Sequence, residues 1–285
     1  MRYRPLFRAG EGGSRPWSRD RQRLAAIKPQ LLLRRRDVLI SGAATLVLGG
    51  CDRLSEAPSF QQFLSSAEGL TYRAQRSIIP RTAMAREFST ADIAKTFRAN
   101  GSQEPYNLPP EYVELARDNY AAWRLKVDGL VLKPAEFSLA DLRALKARTQ
   151  ITRHDCVEGW SCIGSWTGPP LSAVLDKVGL RPEARFIVFQ CADEVLRYID
   201  GSETYYESID LIDAFHPQTI LAYELNGQPL PFANGAPLRL RVERQLGYKM
   251  AKYITRIEAV DRFDNIKGGK GGYWEDSGYE WYAGI

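Results

Sequence analysis

The sequence predicts an α+β fold built on mixed sheets with short helices. Three observations lead there. Stretches of strand character are short and interleaved with equally short helical stretches, and Gly, Pro, Asn and Asp punctuate the junctions. No regular strand–helix–strand alternation of a doubly wound sheet is visible, nor any internal repeat or low-complexity tract. The length of 285 residues corresponds to one substantial domain with appendages, large enough to bury a core without a disulfide framework.

Taken in order, Trp123 to Val127 alternates as a strand, with Gly129 and Pro134 punctuating the connection after it. Ser138-Leu-Ala-Asp141 reads as a capping box that opens a helix through Leu145. Gln150 to His154 is a strand that runs into Cys156. Leu171 to Val178 has helical spacing and stops at Gly179. Arg185 to Gln190 is an apolar run suited to a buried strand. Ser208 to Phe215 reads as a short helix stopped by Pro217, with His216 a structural helix-end residue and Tyr205 and Tyr206 in a preceding loop that either faces a metal site or packs in the core. Ile220 to Leu225 and Gln228 to Leu230, joined by Asn226-Gly227, form a hairpin with a type I′ turn. Leu238, Leu240 and Val242 alternate with arginines as a half-buried strand, and Tyr253 to Val260 repeats the pattern. The aromatic tail, Tyr273-Trp274 and Tyr279 to Tyr282, is most simply a packing arm, with a partner or substrate surface as the lesser alternative.

The formal charge of +5 is unevenly spread. Residues 1–50 hold eleven Lys or Arg against three Asp or Glu, which leaves 28 basic and 31 acidic residues for the rest. The basic character therefore belongs to the leader, and nucleic acid is not expected as a partner.

Within that leader, an apolar stretch from Val38 to Leu48 follows Arg34-Arg35-Arg36 and is too short to span a bilayer. Arg35-Arg36 followed by Asp37-Val38-Leu39 resembles the twin-arginine export signal. Leu48-Gly49-Gly50-Cys51 resembles a bacterial lipobox, which would put lipid on Cys51. An ordinary secretory signal with a chance cysteine is the alternative. The expected organisation is a signal peptide at 1–50, a tether and N-terminal extension at 51–90, and the functional domain at 91–285. Periplasmic location follows, with membrane attachment only through the lipid. Twin-arginine export carries folded proteins, which suits a domain that receives a complex cofactor before export.

Four cysteines are present: Cys51, Cys156, Cys162 and Cys191. If Cys51 carries lipid, three remain, so at least one thiol is unpaired in an oxidising compartment. There is no Cys-x-x-Cys-His haem site and no four-cysteine cluster set, and His154 and His216 are the only histidines, which serves zinc poorly.

The most informative stretch is Arg153-His-Asp-Cys-Val-Glu-Gly-Trp-Ser161, followed by Trp166-Thr-Gly-Pro-Pro-Leu171. It puts a cysteine at a strand end beside a carboxylate and two indoles, and Arg153 can favour the thiolate that a soft metal requires. A structural thiol and a Cys156–Cys162 disulfide account for the same residues equally well. Farther along, Arg239, Arg241, Arg244, Lys249 and Lys252 are concentrated where a phosphate could bind. Most of this cluster reads as a solvated strand face, with Arg239 and Lys252 singled out as anion ligands.

Cys-Val-Glu-x-Trp-Ser with Trp-x-Gly-x-Pro-Leu is similar to the metal-binding segment of molybdopterin oxidoreductases of the sulfite-oxidase fold, in particular the branch of periplasmic methionine-sulfoxide reductases. The likeness covers residues 97–260. It implies a molybdopterin-binding oxidoreductase domain with molybdenum and molybdopterin as cofactors and Cys156 as the metal ligand. Glu158 and Trp160 would join Cys156 on the catalytic side. The resemblance also implies pterin contacts from Asn100 in Phe97-Arg-Ala-Asn-Gly101, from Asn234 and Arg239 in Asn-Gly-Ala-Pro-Leu-Arg, and from Met250, Ala251 and Lys252. Cys191 falls where the reductase branch has a cofactor-contacting Thr, a departure from the family pattern.

The implied activity is two-electron oxygen-atom transfer on a sulfur substrate, with reduction of a small-molecule or protein sulfoxide favoured over oxidation of sulfite. No dimerisation or haem domain is recognised. A monomer is therefore expected, exchanging electrons with a separate protein such as a membrane haem protein or cytochrome. Two rival readings are a non-catalytic binding lipoprotein and a thiol–disulfide protein using Cys156 and Cys162.

Overall fold

The structure is a computed structural model and describes residues 57–195 and 203–285. The leader motifs at Arg35-Arg36 and Cys51 lie outside these residues. The chain divides into two compact units, residues 1–63 and 64–285. Helix α1 (Pro58–Ile78) opens in the first unit and ends in the second. It lies within residues 51–90, read from sequence as a tether and N-terminal extension, where the apolar positions are scattered among polar residues.

Three sheets form the second unit. The largest contains β1 (Arg124–Gly129), β2 (Ala135–Ser138), β5 (Phe186–Glu194), β6 (Thr204–Asp210) and β11 (Ile254–Val260), in the order β2-β1-β11-β5-β6. β1 pairs parallel with β11 and the other neighbours are antiparallel, so the sheet is mixed as expected. The second has four strands, β3 (Arg148–Asp155), β4 (Ser161–Gly168), β8 (Glu224–Leu225) and β9 (Gln228–Pro229), in that order. The third pairs β7 (Thr219–Ala222) with β10 (Arg239–Val242). Short helices α2 (Pro110–Arg117), α3 (Leu139–Ala144), α4 (Leu171–Val178), α5 (Leu211–Ala214) and α6 (Tyr273–Asp276) connect and cover them.

Local signals account for much of this. Ser138 and Asp141 close a reciprocal cap on α3. Gly179, at φ 65°, terminates α4. Asn226 and Gly227 both have positive φ, the requirement of a type I′ turn. Gly168 stands in the Trp-Thr-Gly-Pro-Pro motif because a Cβ there would lie 2.0 Å from the Leu221 carbonyl oxygen.

Three expectations are corrected. The helix read over Ser208–Phe215 is β6 up to Asp210, followed by the single turn α5, so Tyr205 and Tyr206 lie on a strand. Tertiary pairing with β5 overrides the local pattern. The strand read over Ile220–Leu225 is divided at Tyr223, with β7 pairing β10 and β8 pairing β4. β10 is fully buried, not half-buried, and Arg241, Arg244 and Lys249 are buried with it.

Each of those three cations has an acidic partner. Arg241 makes a two-pronged contact with Glu243, at 2.9 and 2.6 Å. Arg244 binds Asp213, which is also held at 2.8 Å by Arg76 of α1. Lys249 lies between Glu207 of β6 and Glu275 of α6.

Replacing Lys249 with Met leaves two buried carboxylates without a cation. The expected loss is about 3–5 kcal/mol in denaturant unfolding. Adding Glu207→Gln and Glu275→Gln should recover most of it; an unchanged midpoint in the single variant would contradict this role.

Asp213 gives an acid-side signature. Burial raises its pKa, but hydrogen bonds and charge from Arg76 and Arg244 outweigh burial and hold it below 3.8. A depressed carboxylate stabilises the fold above its unfolded value and loses that contribution as pH falls through the folded value. Unfolding free energy should therefore drop as pH falls below about 4, more steeply in wild type than in Asp213→Asn.

Candidate functional site

The segment from Cys156 to Trp160 is the turn between β3 and β4, which places the thiol at a strand end, as read from sequence. The turn is closed by Cys156 N–H donating to the Trp160 carbonyl at 2.9 Å and by Gly159 N–H donating to the Cys156 carbonyl at 3.0 Å. The thiol faces an open cleft of about 780 Å³, continuous with solvent.

Other elements converge on this space. β5 contributes Asp193, β10 contributes Arg239, and the segment entering β11 contributes Gly247, Tyr248, Met250 and Lys252. The loop before α2 supplies Asn100, Gly101 and Ser102, and the C-terminal region supplies Trp274 and Tyr279. Gly247 is required by close approach, since a Cβ there would lie 2.4 Å from the His154 ring.

Cys156, Cys162 and Cys191 are all free thiols. Cys162 turns to the Thr96 carbonyl, at 3.7 Å, which removes support from a Cys156–Cys162 disulfide. Burial pushes the Cys156 thiol up, while Arg98 and a 3.9 Å contact from the Asn100 amide favour the thiolate. Arg153 does not have the role expected of it: it ion-pairs Asp155 at 2.8 Å on the exposed side of β3. Arg98 is the cation near the thiol, a residue not singled out from sequence although it lies in the quoted Phe97–Gly101 segment. It also lies 4.7 Å from the centre of the Trp160 ring, and the Trp160 indole donates to Glu158 at 2.8 Å.

The expected site residues divide by position. Asn100, Cys156, Glu158, Arg239, Met250 and Lys252 line the cleft. Trp160 lies at its edge through Glu158, while Cys191, Asn234 and Ala251 are buried behind the lining. Asp193 and Tyr248 are lining residues that sequence reasoning does not single out, whereas Tyr205, Trp274 and Tyr279, for which the sequence admits both packing and a site-facing role, also line the cleft. No local motif marks them; only the fold brings them beside Cys156.

Arg239 and Lys252 differ from the other buried cations. Among the described residues neither has a carboxylate within ion-pair distance; each binds backbone carbonyls instead. Arg239 donates to Asn234 O at 3.1 Å and Met250 O at 3.4 Å. Lys252 ties together Asn100 O, Ser102 O and Ala233 O. Burial, then the Arg241 charge, pushes Arg239 down to about 9, so it stays charged at neutral pH. Burial and Arg239 push Lys252 down to about 7. Asp193, fully enclosed, is pushed up by burial to about 6 against the opposing charge of Lys252.

These residues fit a large anionic cofactor with a soft metal. Arg239 Nε and Asn234 Nδ2 are buried donors without a protein partner, which a phosphate or polar ring edge would satisfy. Among the described residues no cluster of three His, Cys, Asp or Glu can hold a metal ion. A metal at Cys156 therefore needs ligands that the cofactor itself brings.

A thiol, two cations without an ion-paired carboxylate among the described residues, and donors without a partner among those residues define a cofactor-binding protein. The chain matches the oxidoreductase molybdopterin-binding domain over residues 112–265 and belongs to that family, whose cofactor carries molybdenum on molybdopterin. It is 41% identical over 180 residues to YedZ1 of Azospira oryzae, named for a protein-methionine-sulfoxide reductase subunit, covering 63% of each chain. It is 38% identical over 146 residues to the protein-methionine-sulfoxide reductase catalytic subunit MsrP of Xanthomonas campestris, covering 49% of this chain and 45% of that one. The chain thus spans less than two thirds of the length of either relative. Among solved structures, the sulfane dehydrogenase SoxCD of Paracoccus pantotrophus is similar at a TM-score of 0.44 and 24% identity, covering 50% of this chain and 39% of that one.

Lys252 makes anion binding pH-dependent. Its cationic form is lost as pH rises through about 7. Sulfate keeps a constant charge over this range, so its affinity for cofactor-free protein should fall by up to about tenfold per pH unit above 7. Lys252→Met should flatten the profile in a calorimetric titration; the same slope in both proteins would refute the assignment.

Proposed function

We propose that this chain is the catalytic part of an exported reductase that returns methionine sulfoxide, in proteins or as a small molecule, to the thioether. The observation that carries the reading is the convergence of Cys156, Arg239 and Lys252 on one solvent-open cleft. The balanced reaction takes two electrons and two protons, removes the sulfoxide oxygen as water and leaves the thioether. When bound, molybdenum on molybdopterin would supply the two-electron redox couple that oxygen-atom transfer requires.

The residues have distinct roles. Cys156, as thiolate, ligates the metal. Arg239 and Lys252 receive the pterin's phosphate, and Lys252 also fixes the Asn100–Ser102 loop by binding two of its carbonyls. Asn100 holds its amide toward the Cys156 sulfur and orients it. Asn234 presents its free amide donor to the pterin, and Met250 and Ala251 position the backbone there. Glu158 and Trp160 hold Arg98 at the edge of the cleft through the ion pair and the ring contact. The aromatic groups in the cleft favour an uncharged sulfoxide over sulfite, since an anion gains nothing from ring faces.

Electrons arrive from a separate membrane haem protein or cytochrome. Export by the twin-arginine route, periplasmic location and lipid on Cys51 complete the proposal, supported by the leader sequence. No described helix is long and apolar enough to cross a membrane.

The test is cofactor content and turnover of Cys156→Ala, produced in a host that loads related enzymes. Wild type should carry near-stoichiometric molybdenum and pterin and reduce methionine sulfoxide with an artificial electron donor. The variant should keep its unfolding midpoint and lose at least about a hundredfold in turnover, as expected for loss of a metal ligand. A metal-free wild type from such a host would refute the reading and favour a non-catalytic binding protein.

A further inference from the structure

The family match ends at residue 265, yet the chain beyond it supplies one side of the cleft through Trp274 and Tyr279. Residues 112–265 bring the thiol and the cations; the C-terminal arm brings aromatic surface to the same space.

The arm is fastened from within by its polar groups. Glu275 is buried against Lys249, and Asp276 accepts from the Tyr206 hydroxyl at 2.5 Å and from the backbone N–H groups of Gly268 and Lys270. The Trp281 indole donates to Ser208 at 2.8 Å. Tyr248 donates to the Glu280 carbonyl at 2.7 Å and receives, on its own carbonyl, a bond from Tyr205. These contacts fix the arm without using the faces of Trp274 and Tyr279.

The two rings are also held in relation to one another. Trp274 and Tyr279 stack, with centroids 5.4 Å apart and planes 26° apart. Tyr273 meets Trp274 edge-on at 5.2 Å, and Tyr248 meets Tyr279 edge-on at 5.3 Å. An arm that merely closed the core would bury its rings. Instead Tyr279 keeps 38% of its surface exposed, and both rings line the cleft.

We propose that Trp274 and Tyr279 form the wall that recognises substrate, receiving the methyl–sulfur end of a methionine sulfoxide side chain; this rests on the reductase function proposed above. The chemistry is specific. Sulfur is polarisable and favours aromatic contacts, and the methyl group beside a sulfoxide is positively polarised, which suits an electron-rich ring face. An anionic sulfur substrate would be disfavoured there. The wall thus selects a neutral sulfoxide, while Cys156, Arg239 and Lys252 serve the cofactor.

The test uses cofactor-loaded Trp274→Ala and Tyr279→Ala, with molybdenum and pterin content measured beside kinetics and calorimetric binding of a methionine-sulfoxide peptide. Cofactor content should match wild type. KM and peptide Kd should each rise by about five- to tenfold, the weight of one sulfur–ring contact, with kcat within about twofold. Tyr279→Phe, which restores the ring, should recover most of the affinity lost in Tyr279→Ala. Trp274→Leu and Tyr279→Leu preserve apolar volume and carry the same test should an alanine variant fold poorly.

Loaded variants with wild-type KM and peptide affinity would overturn the wall and leave the reductase standing. Peptide binding by wild type that weakens in Trp274→Ala, without sulfoxide turnover by either, would refute the reductase and leave the wall as a thioether-and-sulfoxide binding surface. No measurable peptide binding by loaded wild type would overturn the wall.

Discussion

The architecture depends on compensating the charges buried along β10 and the segment after it. Arg239, Arg241, Glu243, Arg244, Lys249 and Lys252 are all buried within fourteen residues of chain. A buried charge without a partner is costly, so each fixes something distant. Arg241 with Glu243 reaches Gln150 and His154 and joins the two-stranded sheet to β3. Arg244 with Asp213 anchors Arg76 of α1. Lys249 joins β6 to the C-terminal arm through Glu207 and Glu275. After these pairings Arg239 and Lys252 have no ion-paired carboxylate among the described residues, and both face the cleft.

Trp166 adds a second constraint. It is fully buried, and the guanidinium groups of Arg239 and Arg241 lie 5.0 and 4.3 Å from its ring centre. An indole face stabilises cations that water no longer reaches. One motif therefore serves two purposes: Trp166 packs against the buried guanidinium groups of Arg239 and Arg241, while the turn before β4 presents Cys156. The charge network and the cleft lie on the same short run of chain, with Arg241, Arg244 and Lys249 paired in the core and Arg239 and Lys252 at the cleft.

The structure also separates two kinds of basic residue that look alike along the chain. Alternation on a strand is the ordinary mark of one wet side, and by that rule most of the five cations from Arg239 to Lys252 read as a solvated face. The rule fails for Arg241, Arg244 and Lys249. Arg244 and Lys249 find their carboxylate partners, Asp213, Glu207 and Glu275, in other parts of the sequence. Arg241 has Glu243 close by in the chain, but nothing local indicates that both residues are buried. Arg239 and Lys252 are distinguished by motif, and their lack of an acidic partner among the described residues gives that distinction a physical basis.

The α+β class, the α4 helix and its glycine stop, the Asn-Gly hairpin, the α3 cap and the place of Cys156 at a strand end were all legible in the chain alone. Each is encoded locally: a period, a positive-φ residue, a capping pair or a compact motif acts within a few residues. Long-range packing settled the rest. It makes β6 take the first three residues of an expected helix, puts Arg98 rather than Arg153 near the thiol, and brings Asp193, Tyr248, Trp274 and Tyr279 into the cleft. Those outcomes depend on strand pairing and charge compensation between segments far apart in the chain, and no local pattern encodes which distant partner a buried group will meet.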